Sequence, residues 1–328
     1  MAAQEAGARD YFFDNAKFLL IVLVVMGHAV VPYIGEHTGV RTLYLIIYSF
    51  HMPLFFLIAG YFAKKAIDRR QFLKPVQTIL LPYLIFQGIY AVYYYFIEDR
   101  ELVYPLLEPL WSLWFLLSLF TFYVLMVFFK YSIYLLIPAV LLGMLAGVWE
   151  IAPVLSISRT LVFFPFFLLG YFMKKSSMNQ VRTIINPKIS IIVFAGAAVL
   201  LYPFADNIMF EWFYGSESYA ALGIGAGAGM AVRLGLYIVT IIVSLCFLAL
   251  VPSRPTVFSA LALNTMYVYL LHGFLLRYLR TTDFYTVFNG NVEIMLYIAA
   301  AVVYTFVLSS NTVKKVFWPV IEPKRLWS

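Results

Sequence analysis

The chain has one cysteine, Cys246, set inside an apolar run, which excludes an internal disulfide and a cysteine metal site. Charge is also scarce. Asp, Glu, Lys and Arg make up 12% of the residues, where soluble domains carry roughly 25%. With 63% hydrophobic residues, this composition belongs to an integral membrane protein. The net charge of +7 does not imply nucleic acid, because the basic residues cluster in short loops between apolar runs. No long polar stretch is available for a large soluble domain, so any chemistry falls in or at the membrane. The run after Lys17 lacks a small-x-small cleavage site, and the first helix is expected to be retained. No serine-centred elbow motif occurs. The run Gly223–Gly229 has no strand before it, which excludes a phosphate loop and leaves close helix packing as its reading.

What is present is a series of apolar runs, each near the roughly 20 residues that span a bilayer. Ten helical spans are expected, at about residues 15–34, 42–63, 76–97, 111–129, 131–149, 159–174, 188–205, 231–251, 258–279 and 293–310. The sixth holds Pro165 and is expected to kink or tilt. Most lysines and arginines fall on one side, including Lys64, Lys65, Arg69, Arg70 and Lys74 after span two and Lys314, Lys315, Lys324 and Arg325 in the tail. The positive-inside rule makes that side cytoplasmic. The fold class read from the sequence is therefore all-α and polytopic, one domain over residues 1–328 with short cytoplasmic tails at 1–13 and 312–328. A multi-pass protein of the cell (plasma or inner) membrane is the corresponding location.

Histidine is rare as well, at four in the chain, and three fall inside spans: His28, His51 and His272. Ionisable groups at depth are costly and are functional-site candidates by default. His28 lies eleven residues beyond Lys17, about 16 Å deeper along a helix. His51, counted from Phe62, falls at a similar depth, and His272 reaches about 20 Å. The three can converge on one polar chamber halfway through the bilayer, opening to the cell interior; unrelated polar residues bonded inside a bundle are the plainer reading. Pro53 cannot donate to the Ser49 carbonyl, which permits a cavity or a simple kink beside His51. Asn264, Thr265, Tyr267 and Tyr269 add polarity to span nine. His37, in the first outer loop, reads as solvated. Nothing in the histidine spacing demands a metal. A neutral imidazole is a natural general base near pH 7, but proton-coupled transporters use similar residues. Residue types alone leave a transfer enzyme and a transporter or exporter of an acylated or anionic solute both open, with a structural subunit as a third reading.

Several segments together resemble the membrane acyltransferase-3 family, and in particular its fucose 4-O-acetylase-related branch. Lys17 and His28 match the basic-residue, ten-residue, histidine spacing of the family's first helix, with lysine replacing the commoner arginine. Asp14-Asn15-Ala16-Lys17 is similar to the opening of the acetylase branch. His51-Met-Pro-Leu-Phe-Phe-Leu-Ile-Ala-Gly60 is similar to its second-helix signature, with Ala59 where serine is usual. Leu81-Pro82-Tyr83, Leu113-Trp114-Phe115-Leu116, Phe164-Pro165-Phe166-Phe167 and Tyr269-Leu270-Leu271-His272-Gly273 also resemble recurring segments. Gln77 and Thr78 stand where many relatives have another arginine.

The resemblance implies transfer of an acyl group, usually acetyl, from cytosolic acetyl-CoA to a hydroxyl of an envelope glycan or lipid-linked sugar. It makes His28 the leading catalytic residue, with His51 and His272 beside it. Lys17, Arg69, Arg70 and Lys74, read from charge alone as a topology signal, become attractors of the coenzyme A phosphates. Asp14, Trp114, Asn264 and Tyr269 are the expected acceptor-binding residues. The implied partners are the acyl-CoA donor, the sugar acceptor and membrane lipid, with a homo-oligomer left open.

Overall fold

A backbone in hydrocarbon has no water to bond, so its N–H and C=O groups must satisfy one another within helices. The computed structural model describes residues 10–68, 73–128, 132–151, 153–174 and 185–326, and its regular elements are all helical. They are α1 (Tyr11–Val30), α2 (Thr38–Tyr48), α3 (His51–Asp68), α4 (Leu81–Ile97), α5 (Trp114–Phe128) and α6 (Leu136–Leu145). There follow α7 (Ile157–Phe172), α8 (Pro187–Leu201), α9 (Ala226–Leu250), α10 (Thr265–Arg280), α11 (Asn291–Leu308) and α12 (Asn311–Ile321). Among the described residues, eight helical segments are long and apolar enough to cross a membrane. Two of the ten expected spans are shorter. One is Ile133–Leu145, and the other is α10, whose 16 residues are preceded by a 3-10 turn, Leu261–Asn264.

The second expected span is not one rod. α2 ends at Tyr48, Ser49 and Phe50 form a turn, and α3 restarts at His51. Pro53 lies in the first turn of α3, where its missing N–H is tolerated. Pro165 sits inside the continuous α7. Two apolar cores flank α1. One gathers Leu20, Leu54, Phe56, Phe122, Phe163 and Phe167. The other gathers Val24, Val25, Tyr83, Tyr90, Leu116 and Leu270. Phe55 and Phe115 pack against both, so the two cores meet along α1, α3 and α5.

Several sequence expectations change here. The run Gly223–Gly229 does not pack helix on helix. Gly223 takes φ +70° in a turn, Gly225 and Gly227 face open space, and Gly229 receives the Tyr219 ring. His37 is half-buried, with Nε2 2.9 Å from the Asn289 side chain. Arginines at the ends of the apolar runs fasten the fold. Arg41 donates to the Ala205 and Ile208 carbonyls, Arg233 donates to that of Trp212, and Arg277 pairs with Glu98.

The tightest crossing is between α3 and α7. A Cβ on Gly60 would run into the Phe167 carbonyl, and one on Gly170 into the Leu57 carbonyl. Small residues let helices in lipid approach this closely, where dispersion rather than hydrophobic driving force binds them. Gly170→Val should force the helices apart and destabilise the protein by about 1–3 kcal/mol or more. Thermal unfolding in detergent checks this. An unchanged midpoint would mean that the two backbones are not in contact.

Candidate active site

The far ends of five helices build one chamber. α1 and α10 finish there, while α3, α5 and α7 begin there. A cavity of about 210 Å³ at this end is lined by His28, Tyr48, His51, Ser112, Trp114, Arg159, Tyr269 and Arg280, among others. His28 falls in the last turn of α1. The chamber therefore lies toward the helix ends opposite Lys17.

Side chains bond several backbone carbonyls around the chamber, those of His28 and Ser49 at helix breaks. Arg280 donates to the His28 carbonyl at 2.7 Å, where a cation also suits the helix C-terminus. The Ser49 carbonyl, which Pro53 leaves without its helical donor, receives Thr240 Oγ1 at 2.7 Å. His51 Nδ1 lies 2.8 Å from the Ile47 carbonyl, and His272 Nδ1 lies 2.9 Å from that of Val268. A carbonyl can only accept, so each Nδ1 carries the proton and, in the neutral ring, Nε2 keeps its lone pair. Tyr269 donates to the Ser112 carbonyl at 2.5 Å.

The rings then meet. His28 and His272 have centroids 5.4 Å apart, and Trp111 packs on both, at 5.0 and 4.8 Å. Tyr48 lies between the other pair, its hydroxyl 3.4 Å from His28 Nδ1 and its ring 4.6 Å from His51. Trp111 holds a left-handed φ of +49°, a conformation that costs a bulky residue energy and that clusters at functional sites. Buried Gln87 fixes the preceding loop, donating to the Pro105 and Glu108 carbonyls and accepting from Leu110 N–H. Gly273 leaves room for the indole, since a Cβ there would strike it.

Two further cavities adjoin this one. The first, about 180 Å³ and mostly apolar, runs from Lys17 past Ile21, Phe55 and Ala59, and shares Val24, Met52 and Tyr269 with the chamber. The second, about 490 Å³ and more polar, shares Trp111 and Arg159 with it. Glu150, Glu217 and the serines Ser156, Ser158, Ser216 and Ser218 also line this second cavity. The three lie in series from the Lys17 end to the opposite end. Among the described residues, six buried side-chain polar atoms lack a protein partner. Four belong to this region: Ser112 Oγ, His272 Nε2, Arg159 Nε and Arg280 Nε.

The sequence candidates divide accordingly. His28, His51, Trp114 and Tyr269 line the chamber, and His272 touches His28. Lys17 stands at the mouth of the apolar cavity, paired with Asp14 at 3.0 Å. Asn264 is elsewhere. Its amide donates to the Ser309 carbonyl at 2.8 Å and its oxygen accepts from Lys314, which ties α10 to the start of α12. Lys74 is exposed at the Lys17 end, and Arg69 and Arg70 lie outside the described residues. Sequence reasoning missed Tyr48, Trp111, Ser112, Arg159 and Arg280. Arginines at the edges of apolar spans were the available signal. No group of three or more His, Cys, Asp or Glu side chains suited to a metal ion occurs among the described residues.

A family model described as an acyltransferase domain matches residues 10–310. Two curated relatives are both called nodulation protein NolL. The one from Sinorhizobium fredii is 29% identical over 237 residues, covering 66% of this chain and 60% of the relative. The one from Mesorhizobium japonicum is 42% identical over 83 residues, covering 23% of this chain and 22% of the relative. The chain thus spans less than two thirds of the length of either. No solved structure matches.

Thr240→Val should cost about 1–3 kcal/mol by stranding the Ser49 carbonyl. Pro53→Ala supplies a backbone donor at the right place in the helix, so Thr240→Val should cost almost nothing in that background. Equal losses in both backgrounds, read by thermal unfolding, would contradict the carbonyl account of the break beside His51.

Proposed function

The chain belongs to the acyltransferase-domain family, and from that premise we propose that it is a membrane-embedded O-acyltransferase carrying acetyl from cytosolic acetyl-CoA to a hydroxyl of an envelope glycan or lipid-linked sugar. The observation that carries this reading is the series of three cavities with His28 in the middle one. A thioester arm entering past Lys17 meets apolar walls suited to an acyl chain and its linker. A hydroxyl entering from the opposite end meets polar walls. Lys17 stands where donor phosphates would lie, and Lys74 is exposed at the same end. Arg69 and Arg70 complete the basic set read from the sequence. The cell membrane, with the Lys17 end cytoplasmic, is the location this reading requires.

The chemistry follows from the groups at the junction. His28 takes the proton of the acceptor hydroxyl as its oxygen attacks the thioester carbonyl. The tetrahedral adduct collapses with loss of the carbon–sulfur bond, and the leaving thiolate takes the proton back from the imidazolium. Arg280 holds the His28 carbonyl and so fixes the end of the helix that carries the base. Arg159 and Arg280 are the cations of the chamber wall, placed to favour negative charge on the attacked oxygen. His272 and His51 each direct an Nδ1 proton to backbone, leaving Nε2 as an acceptor.

In membranes, His28→Ala should lower acetyl transfer to glycan by about 10²–10⁴-fold. Radiolabelled acetyl-CoA with extracted glycan as the readout tests this. A variant that folds as the parent does and transfers at the parent's rate would remove His28 from the reaction.

A further inference from the structure

The polar cavity beyond Trp111 is open chemistry that the base and the donor channel do not use. We propose that this cavity is the acceptor subsite, and that Glu150, Glu217 and Arg159 make it select neutral, hydroxyl-rich sugar rings over anionic ones. The proposal rests on the acyltransferase reading and names the acceptor class for it.

Its volume, about 490 Å³, falls within the roughly 300–1,000 Å³ of small-ligand pockets. Its walls supply what a sugar ring needs. Carboxylates are pure acceptors and bind the hydroxyl donors of a polyol through charge-assisted hydrogen bonds. Serine hydroxyls give or take as required. Ser216 already donates to Glu217 at 3.1 Å, which holds that carboxylate at the wall. Trp111 offers an aromatic surface at the passage to the chamber. A carboxylate or phosphate on the ligand would instead face the two carboxylates of this wall, and like-charge juxtaposition is the usual device for rejecting a wrong partner.

Arg159 provides the independent sign of a ligand. It belongs to the walls of both cavities, so it stands at the passage between them. Its guanidinium lies 4.8 Å over the Trp114 ring, and Nη2 reaches only Ser216, at 3.4 Å. Nε is buried and has no protein partner. A buried donor of this kind calls for an acceptor oxygen, and the oxygen of a sugar entering the chamber would supply it. Glu217 lines the same cavity and acts on Arg159 through space, with no contact ion pair between them among the described residues, so Nε keeps room for a ligand oxygen.

The test uses the purified full-length chain in lipid nanodiscs, titrated without donor. The probes are methyl glucoside, galactoside and mannoside, and methyl glucuronide and galacturonide, read by tryptophan fluorescence. At least one neutral glycoside should bind saturably, and its uronide should bind about tenfold more weakly or worse. The pair Glu150→Gln with Glu217→Gln should close that gap to within about threefold, because the repulsion is gone. Arg159→Met should weaken neutral glycoside binding by about tenfold, with the thermal unfolding midpoint in detergent as the check on folding, and unchanged glycoside affinity in a folded variant would overturn the proposal. Equal binding of neutral and anionic glycosides by the parent, no binding of any of them, or a preference untouched by the two glutamine substitutions would overturn the proposal. Failure of the acyltransferase reading looks different: acetyl-CoA would neither bind nor be consumed, whatever the glycosides do.

Discussion

An unpaired carbonyl inside a bilayer costs several kcal/mol, and this protein places its chamber where helices end and restart. The carbonyls exposed at two of those breaks are answered by side chains from other elements. Arg280 answers His28 and Thr240 answers Ser49, while His51, His272 and Tyr269 bond the carbonyls of Ile47, Val268 and Ser112, which backbone N–H groups also reach. The bonds to the Ile47 and Val268 carbonyls fix two of the imidazoles in direction and tautomer. Arg280 and Thr240 hold the breaks beside which those rings stand.

The break in the second span, the left-handed Trp111 and the glycine beneath it serve the same end. They bring an aromatic wall against His28 and His272 and leave it facing two cavities. α3 and α7 cross closely through Gly60 and Gly170, and both helices begin at the chamber, where His51 and Arg159 line the wall. Apolar packing on either side of α1 supplies rigidity, and polarity is confined to the seam.

The helical class was legible because long apolar runs admit little else in a membrane. The three histidines were legible as rare ionisable groups at depth, and Pro53 marked a carbonyl that needed a new donor. What escaped was of two kinds. Arg159 and Arg280 sit at span edges, where arginine also serves topology, and charge counting cannot separate a wall of a cavity from a loop residue. Trp111 gave no signal, because a positive φ leaves no mark on a non-glycine sequence. Asn264 shows the opposite error. A polar residue in an apolar span was read as a ligand group, whereas its amide joins α10 to α12.

The central claim is that donor and acceptor approach from opposite faces and meet at His28. The most direct measurement is acetyl transfer in sealed, uniformly oriented vesicles, with acetyl-CoA supplied to one face and acceptor to the other. Transfer should occur when acetyl-CoA is on the Lys17 side and acceptor on the opposite side, and should be lost when both are confined to either single side. Equal transfer with both substrates on one face would contradict the account.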